Sequence, residues 1–277
     1  MNFRLVLLGF GNVAQGLAKI LIEKRAQLRR DFDFEYEIVG VADIVKGSVM
    51  NKGGLDLARL LSLASEKRSL GDYPAGTKGL SSIETIKESD ANVLVEATWT
   101  NLKDGEPGLT HIRTALNEGL HVVTTNKGPI ALAYHELAAL AHQRRRHLRF
   151  EGTVLSGTPA INLATEALAG AKVSSIRGIL NGTTNYILGE MEDGRTFDEA
   201  LKRAQELGYA EAEPSGDVEA WDPAAKITIL ANVLMGGKVK LAEVRREGIS
   251  RITAGDVREA RLTGRRIKLV AKAYEEN

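Results

Sequence analysis

Apolar runs alternate with stretches of helical spacing through the first half of the chain. Arg4–Leu8 is a short apolar run that ends at Gly9. Val13–Arg30 then places Val13, Leu17, Ile20, Leu21 and Leu28 at helical intervals and predicts one helix. Glu37–Ala42 returns to branched residues and stops at Asp43; Val93–Ala97 and His121–Thr125 are further strand-like runs. Gly105–Glu118 and Ile130–Arg145 read as helices, the second entered through Pro129 as a first helical residue. Leu148–Phe150 reads as a last short strand. Gly47–Gly54, with Lys46, Ser48, Asn51 and Lys52 in and beside it, reads as a surface loop. Continuously apolar strands separated by helices imply a parallel sheet covered on both faces. Right-handed crossovers then make a doubly wound sheet the natural topology.

The second half has a different texture. Val173–Leu180 is strand-like, and helices are predicted over Asn185–Glu192, Phe197–Leu207 and Pro223–Leu234. Arg266–Tyr274 alternates, with Ile267, Leu269, Ala271 and Ala273 on one face, as a half-buried antiparallel strand does. The expected architecture is therefore α/β: a doubly wound parallel sheet over residues 1–150, followed by an α+β unit over 151–277. No internal repeat interrupts either part.

Composition narrows the chemistry. The chain has 277 residues, 43% hydrophobic and 26% charged, enough apolar material for sizeable cores. A net charge of +1 argues against a dedicated nucleic-acid or membrane-surface binder, which needs a marked basic excess. There is no cysteine, so thiolate nucleophiles, disulfides and Cys-ligated zinc are excluded. No basic segment and cleavage site precede the run Phe3–Leu8, and no apolar run approaches a membrane span, so a cytoplasmic location is expected.

The first candidate site follows the first strand. Gly9-Phe10-Gly11-Asn12-Val13-Ala14 fits G-x-G-x-x-[GA], the turn of the Rossmann dinucleotide fold. Gly9 allows the tight turn, Gly11 lets the backbone approach a pyrophosphate, and Ala14 keeps the helix near the strand. Free N–H groups at the helix start face the anion. The strand before it and the helix after it supply the context that such a motif requires. Asp43, ending the second strand, suits the ribose hydroxyls of NAD, or is an ordinary turn aspartate. Lys46 suits the 2′-phosphate of NADP, so both dinucleotides stay open. At the carboxyl ends of later strands, Thr98 and Thr100 suit contacts to ribose and nicotinamide. Lys127 sits where the helix dipole disfavours a cation, which suggests a purpose for it; the plain alternative is a solvated surface lysine.

A second constellation spans Gly208–Lys226, where Glu211, Glu213, Asp217, Glu219 and Asp222 precede Lys226. Asp222-Pro223 reads as N-cap and first helical residue, which puts Lys226 on the first turn, four residues after Asp222. The helix start disfavours charge on Lys226 and the carboxylates favour it. Such a lysine suits proton transfer, and the acids suit a substrate ammonium group. The plain alternative is a capped surface helix with a solvated ion pair.

These segments, with Thr124–Pro129 and the run Leu180-Asn181-Gly182-Thr183-Thr184-Asn185-Tyr186-Ile187-Leu188, resemble the homoserine dehydrogenase family in order and separation. The resemblance covers nearly the whole chain. It implies reversible hydride transfer between L-homoserine and L-aspartate 4-semialdehyde, small-molecule substrates of threonine and methionine biosynthesis, in a homodimer. It implies Lys226 as proton donor or acceptor, Lys127 as an assisting group near nicotinamide, and Asp222 as an orienting group. Glu211 and Asp217 would hold the substrate ammonium, with Gly182, Thr183, Gly208 and Tyr209 around the substrate. It also implies a monovalent cation such as Na⁺ at Glu151, Val154, Ser156 and Thr158, an all-oxygen set suited to a hard ion. Family members carry further strands after the position of Arg266–Tyr274, so a C-terminus cut short and no regulatory domain are expected. Two rivals are another nicotinamide-dependent amino-acid dehydrogenase and a non-catalytic dinucleotide sensor. The Asn181–Leu188 and Glu211–Lys226 runs speak against the first, and the joint presence of Lys127, Lys226 and the acids against the second.

Overall fold

The computed structural model describes residues 2–275. The chain forms two compact units, Met1–Thr153 and Val154–Asn277.

The first unit runs β1 (Asn2–Leu8), α1 (Asn12–Glu23), α2 (Arg25–Phe32), β2 (Glu35–Asp43), β3 (Gly47–Leu55), α3 (Leu57–Ser65), β4 (Thr77–Lys78), α4 (Ser82–Glu88), β5 (Val93–Glu96), α5 (Gly108–Asn117), β6 (His121–Thr124), α6 (Lys127–Gln143) and β7 (Leu148–Arg149). These strands make one seven-stranded sheet in the order β4-β3-β2-β1-β5-β6-β7. The sheet is parallel from β2 to β7, as the apolar runs predict, and β3 and β4 add an antiparallel edge. The direction of winding reverses at β1, which has β2 on one side and β5 on the other. Ligands of open α/β sheets bind at such a switch point, outside the carboxyl ends of the strands.

Register fixes what gathers there. Leu8 pairs with Ala42 of β2 and Glu96 of β5, and Glu96 pairs with Thr124 of β6. Four parallel strands therefore end level, and the residues just after them emerge along one edge. The core beneath is aliphatic: Val6, Leu7, Leu8, Val41, Leu94 and Val122 are each fully buried. Phe10, inside the glycine turn, is also fully buried and belongs to this core. Burying such a ring stabilises by roughly 1.5–3 kcal/mol, so the turn is tied down from within.

Several sequence expectations are corrected. The helix expected over Val13–Arg30 breaks at Lys24 into α1 and α2; α2 buries no residue, so packing does not hold it to the axis of α1. Helix α1 buries Ala14, Ala18 and Leu21, and leaves Val13 and Ile20 56% and 49% exposed. The small side chains, not the large ones, let the helix lie close to the sheet. Gly47–Gly54 belongs to a strand rather than a surface loop: Ser48, Val49 and Met50 are buried, and the Ser48 hydroxyl donates to the Leu80 carbonyl at 2.7 Å. Helices α3 and α4 lie where the apolar pattern assigned no element. Their caps are local, Asp56 for α3 and a Ser81–Glu84 capping box for α4. Pro129 is the third residue of α6, not the first, because the helix starts two residues earlier, at Lys127 behind its cap Asn126.

The second unit begins with a helical turn, α7 (Ala160–Asn162). It continues with β8 (Ser175–Gly178), α8 (Gly182–Glu192), α9 (Phe197–Glu206), α10 (Ser215–Val218), α11 (Trp221–Leu234), α12 (Ala254–Leu262) and β9 (Ala271–Tyr274). β8 and β9 pair antiparallel, from Ser175 opposite Tyr274 to Gly178 opposite Ala271. The strand expected over Arg266–Tyr274 is thus confined to its second half. Its core gathers Ile187, Leu188 and Met191 of α8 with Ala200 and Ala204 of α9 and Val257 of α12. Helix α11 buries residues all round, from Pro223 to Asn232. It starts at Trp221 behind a left-handed Ala220, so Asp222 is not its N-cap and Lys226 lies in its second turn rather than its first.

Gly9 has φ of +81°, and a Cβ there would lie 2.5 Å from the Ala97 carbonyl oxygen. The left-handed backbone and the overlap together predict that Gly9→Ala lowers stability by about 2–5 kcal/mol. Urea unfolding at constant m-value measures it; a loss under about 0.5 kcal/mol would contradict the predicted strain.

Candidate active site

The cofactor turn is built by backbone bonds on both sides of β1. The Gly9 N–H donates to Ala42 O and the Ala97 N–H to Leu8 O, each at 2.8 Å. Gly11 caps α1 in an extended conformation without any side-chain cap, and no acidic residue occupies the first turn. The N–H groups of Asn12, Val13 and Ala14 thus open a helix with no side chain of its own to accept from them. No atom would lie within 4 Å of a Cβ at Gly11, so the backbone there is open to a ligand. An uncapped helix start with an open approach fits a dinucleotide pyrophosphate.

Asp43 ends β2 and reaches back to this turn. Its Oδ2 accepts the Phe10 N–H at 2.7 Å, and its Oδ1 accepts the N–H groups of Val45 and Lys46, both at 2.9 Å. Burial pushes its carboxyl up, but those three donors and the nearby Lys46 charge outweigh burial and hold it below the ordinary 3.8. Asp43 is therefore both a turn aspartate and a fixed anion beside the cofactor turn. Ile44 and Val45, which follow it, are 94% and 86% exposed. Lys46 is half-buried, its main chain turned toward Asp43.

Across β1, Thr98 and Thr100 are half-buried in the loop after β5. The Thr98 hydroxyl donates inward, to Glu96. Its own proton is thus committed within the protein, which leaves the loop backbone for an incoming ligand. Lys127 opens α6, half-buried, directly after the cap Asn126, whose side chain accepts the Gly128 N–H at 3.1 Å.

In the second unit the carboxylates part company. Lys226 Nζ lies 2.7 Å from Asp222 Oδ2 and donates to the Leu180 carbonyl at 2.8 Å. The two side chains are only 16% and 14% exposed, so this is not a solvated surface pair. Asn181 joins them to a second acid: its Nδ2 donates to Asp217 Oδ1 at 2.6 Å and to Asp222 Oδ2 at 2.9 Å. Its Oδ1 meanwhile accepts from the Thr184 N–H at 2.8 Å and so caps α8. Glu213 accepts from the Ser215 N–H, and Glu219 accepts from the Ser250 hydroxyl. The Glu211 side chain is exposed, and its main-chain carbonyl accepts from Gln205. Thus Asp217, Asp222 and Lys226 share one cluster.

Gly182 and Thr183 open α8 beside this cluster. The Thr183 hydroxyl donates to the Tyr209 carbonyl at 2.7 Å, and the Tyr186 and Tyr209 rings lie 4.8 Å apart. Gly208, left-handed at +75°, sets the turn that presents Tyr209. Arg246 lies over the Trp221 ring at 3.5 Å, against the start of α11.

The residues expected at the cation site divide between the units: Glu151 falls in the first, and Val154, Ser156 and Thr158 in the second. Among the described residues, no group of three or more His, Cys, Asp or Glu side chains could hold a metal ion. Nor, among them, is any helix long and apolar enough to cross a membrane.

Asn181, the Leu180 carbonyl and Glu96 went without a role in the sequence reading. Asn181 had a readable signal: a polar residue three before Thr184 and just ahead of Tyr186-Ile187-Leu188 is a helix-cap pattern. Its second function, clamping Asp217 and Asp222, depends on contacts 36 and 41 residues away and leaves no local trace.

An uncapped helix at the switch point of a doubly wound sheet, with a lysine–carboxylate cluster in a second unit, defines a two-unit nicotinamide-dependent oxidoreductase. The family model for the homoserine dehydrogenase NAD-binding domain matches residues 9–151, and that for homoserine dehydrogenase matches 159–276. The chain belongs to the homoserine dehydrogenase family. It is 45% identical to the NAD⁺-dependent homoserine dehydrogenase of Pseudomonas canavaninivorans over 98% of this chain and 77% of that one. It is 44% identical to the homoserine dehydrogenase of Methanocaldococcus jannaschii over 97% and 80%. The structure of a hyperthermophilic archaeal homoserine dehydrogenase mutant in complex with NADPH aligns with a TM-score of 0.85 at 32% identity, covering 99% of this chain and 79% of that one.

Two expected outcomes follow from the side chains. Asn181→Asp keeps a good cap but removes the amide donor and adds a third carboxylate. Helix content by circular dichroism should hold, while kcat/KM for L-homoserine falls about tenfold to hundredfold, the worth of hydrogen bonds to charged groups. Equal catalysis in both proteins would count against the clamp. For Asp43, a carboxyl depressed on folding adds stability that is full above its unfolded value and lost as pH falls through the folded one. Asp43→Asn should therefore lower the melting temperature at pH 7, and the gap should shrink as pH drops below about 3.8. A gap that does not narrow in acid would show that Asp43 is not held this way.

Proposed function

We propose that this chain interconverts L-homoserine and L-aspartate 4-semialdehyde reversibly in threonine and methionine biosynthesis, with Lys226 moving the proton at the substrate oxygen. The observation that carries this is the anchorage of Lys226. Its ammonium is held by Asp222 Oδ2 and the Leu180 carbonyl. Two of its three donors are thereby used, and the third has a defined direction for the substrate oxygen. When bound, the dinucleotide supplies the hydride chemistry at C4 of nicotinamide. Lys226 gives the proton as aldehyde becomes alcohol and takes it in the reverse direction. Asp222 orients Lys226. Asp217 and Glu211 hold the substrate ammonium, and Gly182, Thr183, Gly208 and Tyr209 surround it. Lys127 assists on the nicotinamide side, with Gly9–Ala14 around the pyrophosphate.

NAD is the preferred cofactor in this reading. The fixed anion at Asp43 favours ribose hydroxyls as donors and repels a 2′-phosphate. Ile44 and Val45, left in water, suit the flat apolar face of adenine better than a phosphate. The NAD⁺ dependence of the Pseudomonas canavaninivorans relative agrees with this preference. Lys46 favours NADP by charge but stands next to Asp43.

Lys226→Ala should cut kcat for L-homoserine by about 10²–10⁴-fold while NADH affinity changes little. In the same assay the unmodified chain should turn over NAD faster than NADP at subsaturating cofactor, and Asp43→Ala should narrow that ratio. Unchanged turnover in Lys226→Ala would remove the lysine from the mechanism; a preference for NADP would overturn the role of Asp43.

A further inference from the structure

Glu96 ends β5 at 0% exposure, and no step above uses it. Three elements supply its partners. From its own loop, the Thr98 N–H donates to Oε1 at 3.1 Å, and the Thr98 hydroxyl donates to the same oxygen. From β6, the Thr124 hydroxyl donates to Oε2 at 2.9 Å. From α5, His111 Nδ1 stands 3.7 Å from Oε1, on a side chain that is itself 6% exposed. Burial raises the carboxyl, but these neighbours outweigh it and hold Glu96 below the usual range.

The bonds continue and close on themselves. Thr124 Oγ1 accepts the Asn126 N–H at 3.0 Å, and Thr98 Oγ1 accepts from Asn126 Nδ2 at 3.3 Å. Asn126 Nδ2 also donates to the Trp99 carbonyl at 3.2 Å. Glu96, Thr98, Asn126 and Thr124 thus form a ring whose direction is set at one point. An ionised carboxylate only accepts, so both hydroxyls must donate to it. Their lone pairs then face Asn126, which brings only donors to them. Reversing either hydroxyl would leave a donor of the buried Asn126 without its acceptor, and buried unpaired donors are costly.

This ring holds the two sides of the cofactor site. Its Thr98 end fixes the loop whose Ala97 carbonyl packs on Gly9. Its Asn126 end caps α6 at Lys127, and at Gly128 the helix passes so close to the Asn101 carbonyl that no Cβ would fit. We propose that Glu96 is a positioning residue for the dinucleotide site: its buried carboxylate sets the donor–acceptor direction of the Thr98–Asn126–Thr124 ring, and through it places the Ala97–Asn101 loop and the start of α6. The inference rests on the dinucleotide reading of the glycine turn, and on the homoserine reading only for what Lys127 then does.

Trp99 reports the loop directly, being 60% exposed within it. The test compares Glu96→Gln, Thr124→Val and Thr124→Ser, each in a Trp221→Phe background, by Trp99 emission without ligand and by NADH titration. Thr124 is 1% exposed and is assigned no contact to the cofactor, so it acts only through the ring. Glu96→Gln puts a donor into the ring, and Thr124→Val removes a hydroxyl at constant shape. Both should shift Trp99 emission in the free protein and weaken NADH binding about tenfold or more, as small displacements of a binding group do. Thr124→Ser keeps the hydroxyl and should bind NADH within about twofold of the background protein. A space-filling role would give the opposite order, with Val harmless and Ser worse, and would overturn the proposal. So would a lower melting temperature in Glu96→Gln with emission and NADH affinity unchanged. Should Glu96→Gln fail to fold, the Val–Ser order at Thr124 still decides. Both readouts omit homoserine, so a chain that binds NADH but leaves homoserine unoxidised would defeat the proposed activity without touching this result.

Discussion

Everything at the cofactor end depends on the parallel register of β1 with its neighbours. Because Ala42, Leu8, Glu96 and Thr124 stand level, the chain leaves four strands along one edge; β1 leaves through the glycine turn, and the other three departures each bring a polar residue to it. Asp43 reaches sideways to the Phe10 N–H, Glu96 reaches to Thr98 and Thr124, and Asn126 closes the far side. A one-residue slip of β5 against β1 would turn Glu96 to the other face of the sheet and dismantle the edge.

The second unit solves a different problem, keeping acids close together around a lysine without exposing them. Asn181 does this with one side chain that faces both ways. Its oxygen is spent on the start of α8, which orients the amide nitrogen toward Asp217 and Asp222. Helix geometry thereby dictates the spacing of the carboxylates. The plain reading of Lys226 as a surface ion pair loses to this arrangement, since both partners are largely out of water.

How much of this was legible in the sequence follows the range of the forces involved. The parallel strands and the glycine turn are written in contiguous residues and could be read. So could α9, and α8 from Asn185 onward; its first turn, Gly182–Thr184, carries no apolar spacing. The apolar spacing of α1 predicts a helix but not its buried face, because packing against a sheet rewards Ala14 and Ala18 beside Leu21 and leaves Val13 and Ile20 outside. β3 is hidden in the sequence by its glycines and lysine, since only Ser48–Met50 and the final Leu55 are buried in it. The start of α11 was misplaced because Asp222-Pro223 imitates a cap, while the helix begins behind the left-handed Ala220. Lys226 and Asp222 were legible from spacing. That Asp217 joins them while Glu213 and Glu219 turn to Ser215 and Ser250 required the fold.

Phe10 carries a consequence for the thermodynamics of ligand capture. The ring is locked in the core, its N–H is given to Asp43, and its carbonyl accepts from Gln15 at 2.8 Å. Such a turn has little slack left to lose. Ordering entropy, which weakens association wherever a mobile loop must close on its ligand, was spent here during folding. On the proposed dinucleotide reading, a pyrophosphate meets a turn already ordered by the fold, and conformational change on binding falls to other parts of the chain.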